Sequence, residues 1–168
     1  EYSAEKPLEL KLSHFAGSDT NQLAQLALAF ERIVEEKTGG AVDVVVYGGG
    51  VLGNDRVSFE SVIAGTLDMA VNNTPIISNY DDVFQVLDLP YLFADYDQIY
   101  AFLDSDVCQE LLDSLTSTGA RMLCMQAVGF RNMDMCTGPV KTPADIAGTL
   151  IRVTDSPIYR AQYEAWGA

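Results

Sequence analysis

The stretch AVDVVVYGGGVLGNDRVSFESVIAGTLDMAV, residues 41–71, decides the fold class. Val42, Val44, Val45, Val46 and Tyr47 form a β-branched and aromatic run of the kind that fits a pleated strand. A glycine-rich turn and Asn54-Asp55 follow, residues 57–64 read as a helix stopped at Gly65, and Leu67-Asp68-Met69-Ala70-Val71 reads as a further strand. Upstream, Leu8-Glu9-Leu10-Lys11-Leu12 alternates apolar and polar residues, the mark of a half-buried strand. Residues 21–37 then place Leu23, Leu26, Phe30, Ile33 and Val34 at helical spacing before Thr38-Gly39-Gly40 ends the helix. Strand, helix, strand, helix, strand is the order of a parallel α/β sheet, because parallel neighbours need a crossover between them.

The chain beyond residue 71 is less regular. Residues 83–93 are apolar but broken by Pro90, which argues for a buried loop or broken helix rather than a central strand. Two short helices are expected near residues 96–103 and 105–115, and a fourth strand at 120–128. Lys141-Thr142-Pro143-Ala144-Asp145 reads as a helix start, with Thr142 as cap and Pro143 at the first helical position, and Ser156-Pro157 opens a last helix by the same device. Leu150-Ile151-Arg152-Val153 reads as one more strand.

The totals narrow the function. A net charge of −14 would repel nucleic acid and anionic lipid, since phosphate binding needs clustered Lys and Arg. No apolar run is long enough to span a bilayer, so direct membrane insertion is not expected. The chain starts at Glu1 with a polar lead-in, which suits a mature chain after signal-peptide removal and equally a trimmed one. Cys108, Cys124 and Cys136 match no zinc spacing; they read as small buried hydrophobes, with a Cys124–Cys136 bridge open in an oxidising compartment.

Gly48-Gly49-Gly50-Val51-Leu52-Gly53 fits G-x-G-x-x-G after a strand and before a helix, which leaves open a nucleotide-dependent oxidoreductase. Against it, Asp68 stands too early in its strand to reach a ribose, and Asp55 puts an acid where a pyrophosphate would sit. His14 is the single histidine, with no G-x-S-x-G elbow and no metal-ligand spacing around it. The residues thus point away from an enzyme, and no metal or cofactor is expected. Arg131 and Arg152 lie at the ends of apolar runs, and a planar guanidinium holds a carboxylate through two parallel hydrogen bonds. An anion clamp is the sharp reading; two arginines balancing surface acids on an α/β domain without a carboxylate ligand is the bland one.

Several strings, in order along the chain, resemble the TRAP-transporter substrate-binding proteins of the DctP type. They are Glu35-Glu36-Lys37-Thr38-Gly39-Gly40, Val51-Leu52-Gly53-Asn54-Asp55, Gly65-Thr66-Leu67-Asp68-Met69, Leu87-Asp88-Leu89-Pro90-Tyr91-Leu92-Phe93, Gly129-Phe130-Arg131, and residues 142–153, TPADIAGTLIRV. The resemblance implies a two-lobed α/β fold of the periplasmic binding protein type II kind, with residues 1–128 as lobe I and 129–168 as the incomplete beginning of lobe II. It implies a periplasmic receptor that captures a small carboxylate, such as a dicarboxylate or sugar acid, and hands it to the TRAP membrane permease subunits. By the same resemblance Arg152 binds the ligand carboxylate and Arg131 supports it, with Asn73, Asp155, His14 and Phe15 as further ligand contacts and Asp55 as a weaker one. Members of that family are about twice as long as this chain.

Overall fold

The computed structural model describes residues 2–136 and 138–168. Cα packing divides them into two units, the first running to Asn73 with Thr118–Ala120, the second comprising Thr74–Ser117 and Arg121–Ala168.

The first unit contains β1 (Leu8–His14), α1 (Gln22–Thr38), β2 (Val42–Tyr47), α2 (Asp55–Ile63) and β3 (Met69–Val71). The three strands form one parallel sheet in the order β2-β1-β3, as the sequence leads one to expect. Leu8 pairs with Val42 and Ser13 with Tyr47 on one side of β1, while Leu12 pairs with Met69 and His14 with Val71 on the other. Local chemistry sets the helix ends. The Asn21 side chain accepts from Leu23 N, and Gly39 closes α1 with φ 60°. The Asn54 side chain accepts from Val57 N to open α2.

Leu12, Ala27 and Val44 are buried together, with Phe30, Val34, Val42, Val46, Met69 and Val71 packed around them. The buried face of α1 differs from the expected stripe: Leu23, Ala24 and Ala27 are buried, whereas Ile33 is exposed. The two alanines let the helix backbone approach the sheet closely, so small residues, invisible to a hydrophobic-stripe reading, line the contact.

The second unit contains α3 (Thr74–Ile77), a 3-10 segment (Asp82–Asp88), α4 (Tyr96–Leu103), α5 (Asp106–Ser114), a 3-10 turn (Pro143–Asp145) and α6 (Pro157–Ala165). The side chains of Asp95, Ser105 and Ser156 accept from backbone amides to cap α4, α5 and α6. Ile76, Ile77, Phe84, Cys108, Leu111, Leu112, Leu115 and Ile146 are buried. Buried among them is a charged group: Asp88 Oδ2 accepts from Ser78 Oγ at 3.2 Å and from Ser156 Oγ at 2.6 Å. One carboxylate thus ties the turn after α3 and the end of the 3-10 segment to the cap of α6.

Several expectations are corrected here. Neither residues 120–128 nor Leu150-Ile151-Arg152-Val153 form strands. A strand needs a partner for its ladder, and neither stretch is paired in one among the described residues; Leu123, Val128 and Leu150 are left exposed. The apolar string after residue 82 becomes a 3-10 segment, but Leu89, Tyr91 and Leu92 beyond it are exposed rather than buried. Thr142 and Pro143 open only a single 3-10 turn, held by the Asp145 carboxylate, which accepts from Lys141 N at 2.9 Å and Thr142 N at 2.7 Å. Only Cys108 is a buried cysteine; Cys124 and Cys136 are exposed, and none of the three is bridged.

Two predictions follow from this packing, both read by urea unfolding of the full-length protein. Leu12→Ala should lower stability by about 2–5 kcal/mol through the cavity it leaves, whereas Leu150→Ala at an exposed site should change it by less than about 0.5 kcal/mol; equal losses would contradict the assigned core. The second concerns Asp88, whose carboxyl is raised above its ordinary value of 3.8 by desolvation, against the opposing pull of the Ser156 and Ser78 hydroxyls, Tyr159 and Arg131. Below 3.8 both folded and unfolded states hold the proton; as pH rises through the higher folded value, the unfolded chain has already lost it and stability declines. The gap between Asp88→Asn and wild type should therefore shift in favour of the variant from about pH 4 to about pH 7. A gap that does not change with pH would show that the burial of Asp88 carries no such cost.

Candidate functional site

In a parallel sheet the carboxyl ends of all strands lie on one edge, where ligands of open α/β sheets are held. In the first unit that edge collects His14 at the end of β1 and Phe15 just after it, the turn at residues 48–53 after β2, and Asn72 and Asn73 after β3. His14 is 2% exposed, and its Nδ1 has no hydrogen-bond partner among the described residues. Its ring lies against Gly48, where an added Cβ would come within 2.9 Å of Cε1 and Nε2. Glycine at 48 is thus required by a close approach. Phe15 is half-buried and packs on the Ala16, Leu23 and Ala24 cluster.

The glycine-rich turn spends its amides on the protein itself. Gly49 N donates to Ala16 O at 3.1 Å, Gly50 N to His14 O at 3.0 Å, and Gly53 N to Gly50 O at 2.9 Å. A dinucleotide cradle needs such N–H groups aimed at phosphate, and here they fasten the turn to the loop after β1. Asn72 and Asn73 are fixed by Asp55 at the start of α2. Asn72 Nδ2 donates to Asp55 O and Oδ1, both at 2.6 Å, and Asn73 N donates to both carboxylate oxygens at 3.3 Å. Desolvation raises the Asp55 carboxyl above its ordinary value, while the bonds from Asn72 and Asn73 pull it down. Asn73, expected as a ligand contact, meets Asp55 through both its backbone and its side chain, and Asn72, not singled out from the sequence, supplies a further side-chain tie.

A hollow of about 480 Å³ in this unit is lined by His14, Gly48 and the acids Asp19, Glu31 and Asp43. Burial first, and then the neighbouring acids Glu35 and Asp43, raise the Glu31 carboxyl. That field is wrong for a carboxylate ligand.

The second unit holds Arg131, Arg152 and Asp155. Phe130 packs edge-on against Tyr96 of α4, with ring centroids 5.2 Å apart, and so fixes the chain next to Arg131. The Arg131 guanidinium lies 4.7 Å from the centroid of the Tyr159 ring on α6, and its Nη1 donates to Thr154 Oγ1 at 3.4 Å. Arg152 is exposed and makes no hydrogen bond or ion pair with any described residue. Asp155 is exposed and faces Arg160 at 3.5 Å, while its backbone oxygen accepts from Asn79 Nδ2 at 2.9 Å.

The arginines separate into two classes. Arg32, Arg56, Arg121 and Arg160 each lie within 4 Å of an acid, at 3.7, 3.9, 3.6 and 3.5 Å. Among the described residues Arg131 and Arg152 have no acid within that distance, in a chain with 24 acids to 10 bases, although the Arg131 charge still reaches the buried Asp88 carboxyl and helps lower it. Among the described residues no group of His, Cys, Asp and Glu is arranged to hold a metal, and no helix is long and apolar enough to cross a membrane. Asp88, Ser78 and Tyr159, which with the Ser156 cap organise the ground beneath Arg131, were not singled out from the sequence as site residues; an acid inside the apolar run Leu87-Asp88-Leu89 was the available signal.

The chain is similar to proteins of known role. It is 31% identical over 151 residues to the 2,3-diketo-L-gulonate-binding periplasmic protein YiaO of Escherichia coli, covering 90% of this chain and 46% of that protein. It is 31% identical over 167 residues to the C4-dicarboxylate-binding periplasmic protein DctP of Rhodobacter capsulatus, covering 97% and 49%. A TRAP periplasmic solute-binding protein of Sulfurospirillum deleyianum, solved with bound succinate, superposes with a TM-score of 0.88 at 28% identity, over 96% of this chain and 52% of that one. The chain thus spans about half the length of the relatives it matches. Their α/β fold bears out the expected fold class, and the relatives bear out a periplasmic location. Residues 12–168 match the DctP family of bacterial extracellular solute-binding proteins, family 7, whose members are receptors and not enzymes, and the chain belongs to that family.

Proposed function

We propose that the full-length protein is a periplasmic receptor that binds a small organic acid, a C4-dicarboxylate or a sugar acid, and delivers it to the permease subunits of a TRAP-type secondary transporter. The observation that carries the reading is the pair of arginines, Arg131 and Arg152, neither with an acid within salt-bridge distance among the described residues, in a chain of net charge −14. Arg152 takes the ligand carboxylate through paired, charge-assisted hydrogen bonds, and Arg131 supplements it. His14, Phe15, Asn73 and Asp155 are ligand contacts in the full-length protein, each on its own unit. In that protein residues 1–128 belong to lobe I and residues 129–168 begin lobe II. The relatives support the ligand class, since their names specify C4-dicarboxylate and 2,3-diketo-L-gulonate binding and one was solved with succinate.

The oxidoreductase alternative has no support in the family or the relatives, and the amides of Gly49, Gly50, Val51 and Gly53 are already engaged.

Hydrogen bonds to charged groups contribute about 1.5–3 kcal/mol each. Arg152→Ala in the full-length protein should therefore weaken binding at least about tenfold, measured by calorimetry with the tightest binder among succinate, L-malate, galactonate and D-glucuronate. An unchanged affinity would overturn the role of Arg152, and no binding of any of the four would overturn the ligand class.

A further inference from the structure

The second unit contains a buried polar chain that ends under a cation. Asp88 is 2% exposed and accepts from the Ser156 hydroxyl at 2.6 Å and the Ser78 hydroxyl at 3.2 Å. Ser156 is also the cap of α6, its Oγ accepting from Tyr159 N at 3.5 Å. The carboxylate therefore fixes the first turn of α6, and the first turn of α6 carries Tyr159. The Tyr159 hydroxyl interacts with both Asp88 and Arg131, and the face of its ring supports the Arg131 guanidinium at 4.7 Å from the centroid. Thr154, just before the cap, accepts from Arg131 at 3.4 Å. The Asn79 side chain holds the backbone between them, donating to Asp155 O at 2.9 Å.

From this geometry we propose that Tyr159 is a positioning residue for ligand binding: its ring is the platform that aims the Arg131 guanidinium, and Asp88, through Ser156, fixes the platform. The proposal rests on the reading of Arg131 as a ligand contact. A guanidinium on a long, flexible stem loses rotamer entropy when it engages a ligand, and a platform that orders it beforehand removes part of that cost. An aromatic face does so without neutralising the charge, as a carboxylate in the same place would.

The test is a double-mutant cycle in the full-length protein, with affinity read by calorimetry for the tightest binder among succinate, L-malate, galactonate and D-glucuronate. Tyr159→Leu should weaken binding roughly threefold to tenfold, and Tyr159→Phe, which keeps the ring, should stay within about twofold of wild type. In an Arg131→Ala background the same Tyr159→Leu change should cost nothing further, because the residue it positions is gone. An equal loss in both backgrounds would mean that Tyr159 acts only on the fold, and the proposal falls. No loss from Arg131→Ala alone would instead remove Arg131 from the ligand site, sinking the reading beneath the proposal and the proposal with it. Should Tyr159→Leu not fold, Tyr159→Met fills similar volume without an aromatic face and is judged by the same cycle.

Discussion

Parallel pairing on both sides of β1 is the constraint from which the first unit follows. A strand flanked by two parallel neighbours cannot be reached by tight turns, so each neighbour must arrive through a crossover, and α1 and α2 supply them. The same pairing sends every strand's carboxyl end to one edge. His14, the glycine-rich turn and Asn72-Asn73 come together there for that reason alone, although they are separated by some sixty residues of sequence. The order of the strands then decides which groups touch: the β1 register sets His14 beside Val71, and the turn after β2 folds back over the loop after β1 through the amides of Gly49 and Gly50.

Three aspartates show how position decides the state of one side chain. Asp55 and Asp88 are desolvated, and burial raises both carboxyls, yet each is retained as a multiple acceptor where segments must be joined. Asp55 joins the start of α2 to the end of β3; Asp88 joins α3, the 3-10 segment and α6. Asp145 is solvent-exposed and its carboxyl is lowered, because backbone amides from Lys141 and Thr142 donate to it with little opposing desolvation. In each case the acceptor capacity of the carboxylate, two oxygens with several lone pairs, explains the choice of residue better than its charge does.

The first unit was largely legible in the sequence because its signals are local: a period of two, a period of 3.6, asparagine caps and glycine stops. Strands at 8–12, 41–47 and 67–71 and helices at 21–37 and 57–64 all correspond to observed elements within a few residues. The second unit was less so. Residues 120–128 have the composition of a strand, but a strand is a property of a pair, and composition says nothing about whether a partner lies alongside. The site was legible to the same degree. Arg131 and Arg152 stand out by charge in an acidic chain, whereas Asp88 and Tyr159 lie 71 residues apart and are linked through the Ser156 cap, a relation no local pattern encodes.

The distinction between paired and unpaired arginines also bears on how an acidic protein holds an anion. At physiological salt, fields beyond about 8 Å are strongly screened, so the net charge of −14 governs solubility far more than it governs events at a single guanidinium. What matters locally is whether a neighbouring acid has already consumed the donors. Arg160 faces Asp155 and Arg121 faces Asp113, and their charge is spent within the protein. Arg131 rests instead on an aromatic face and a hydroxyl, contacts that hold a guanidinium while leaving most of its N–H groups for a carboxylate. Among the described residues neither Arg131 nor Arg152 has an acid within salt-bridge distance, and the acid that Arg131 does feel, Asp88, is buried behind Tyr159 and tied to two serine hydroxyls, an arrangement compatible with an anion site.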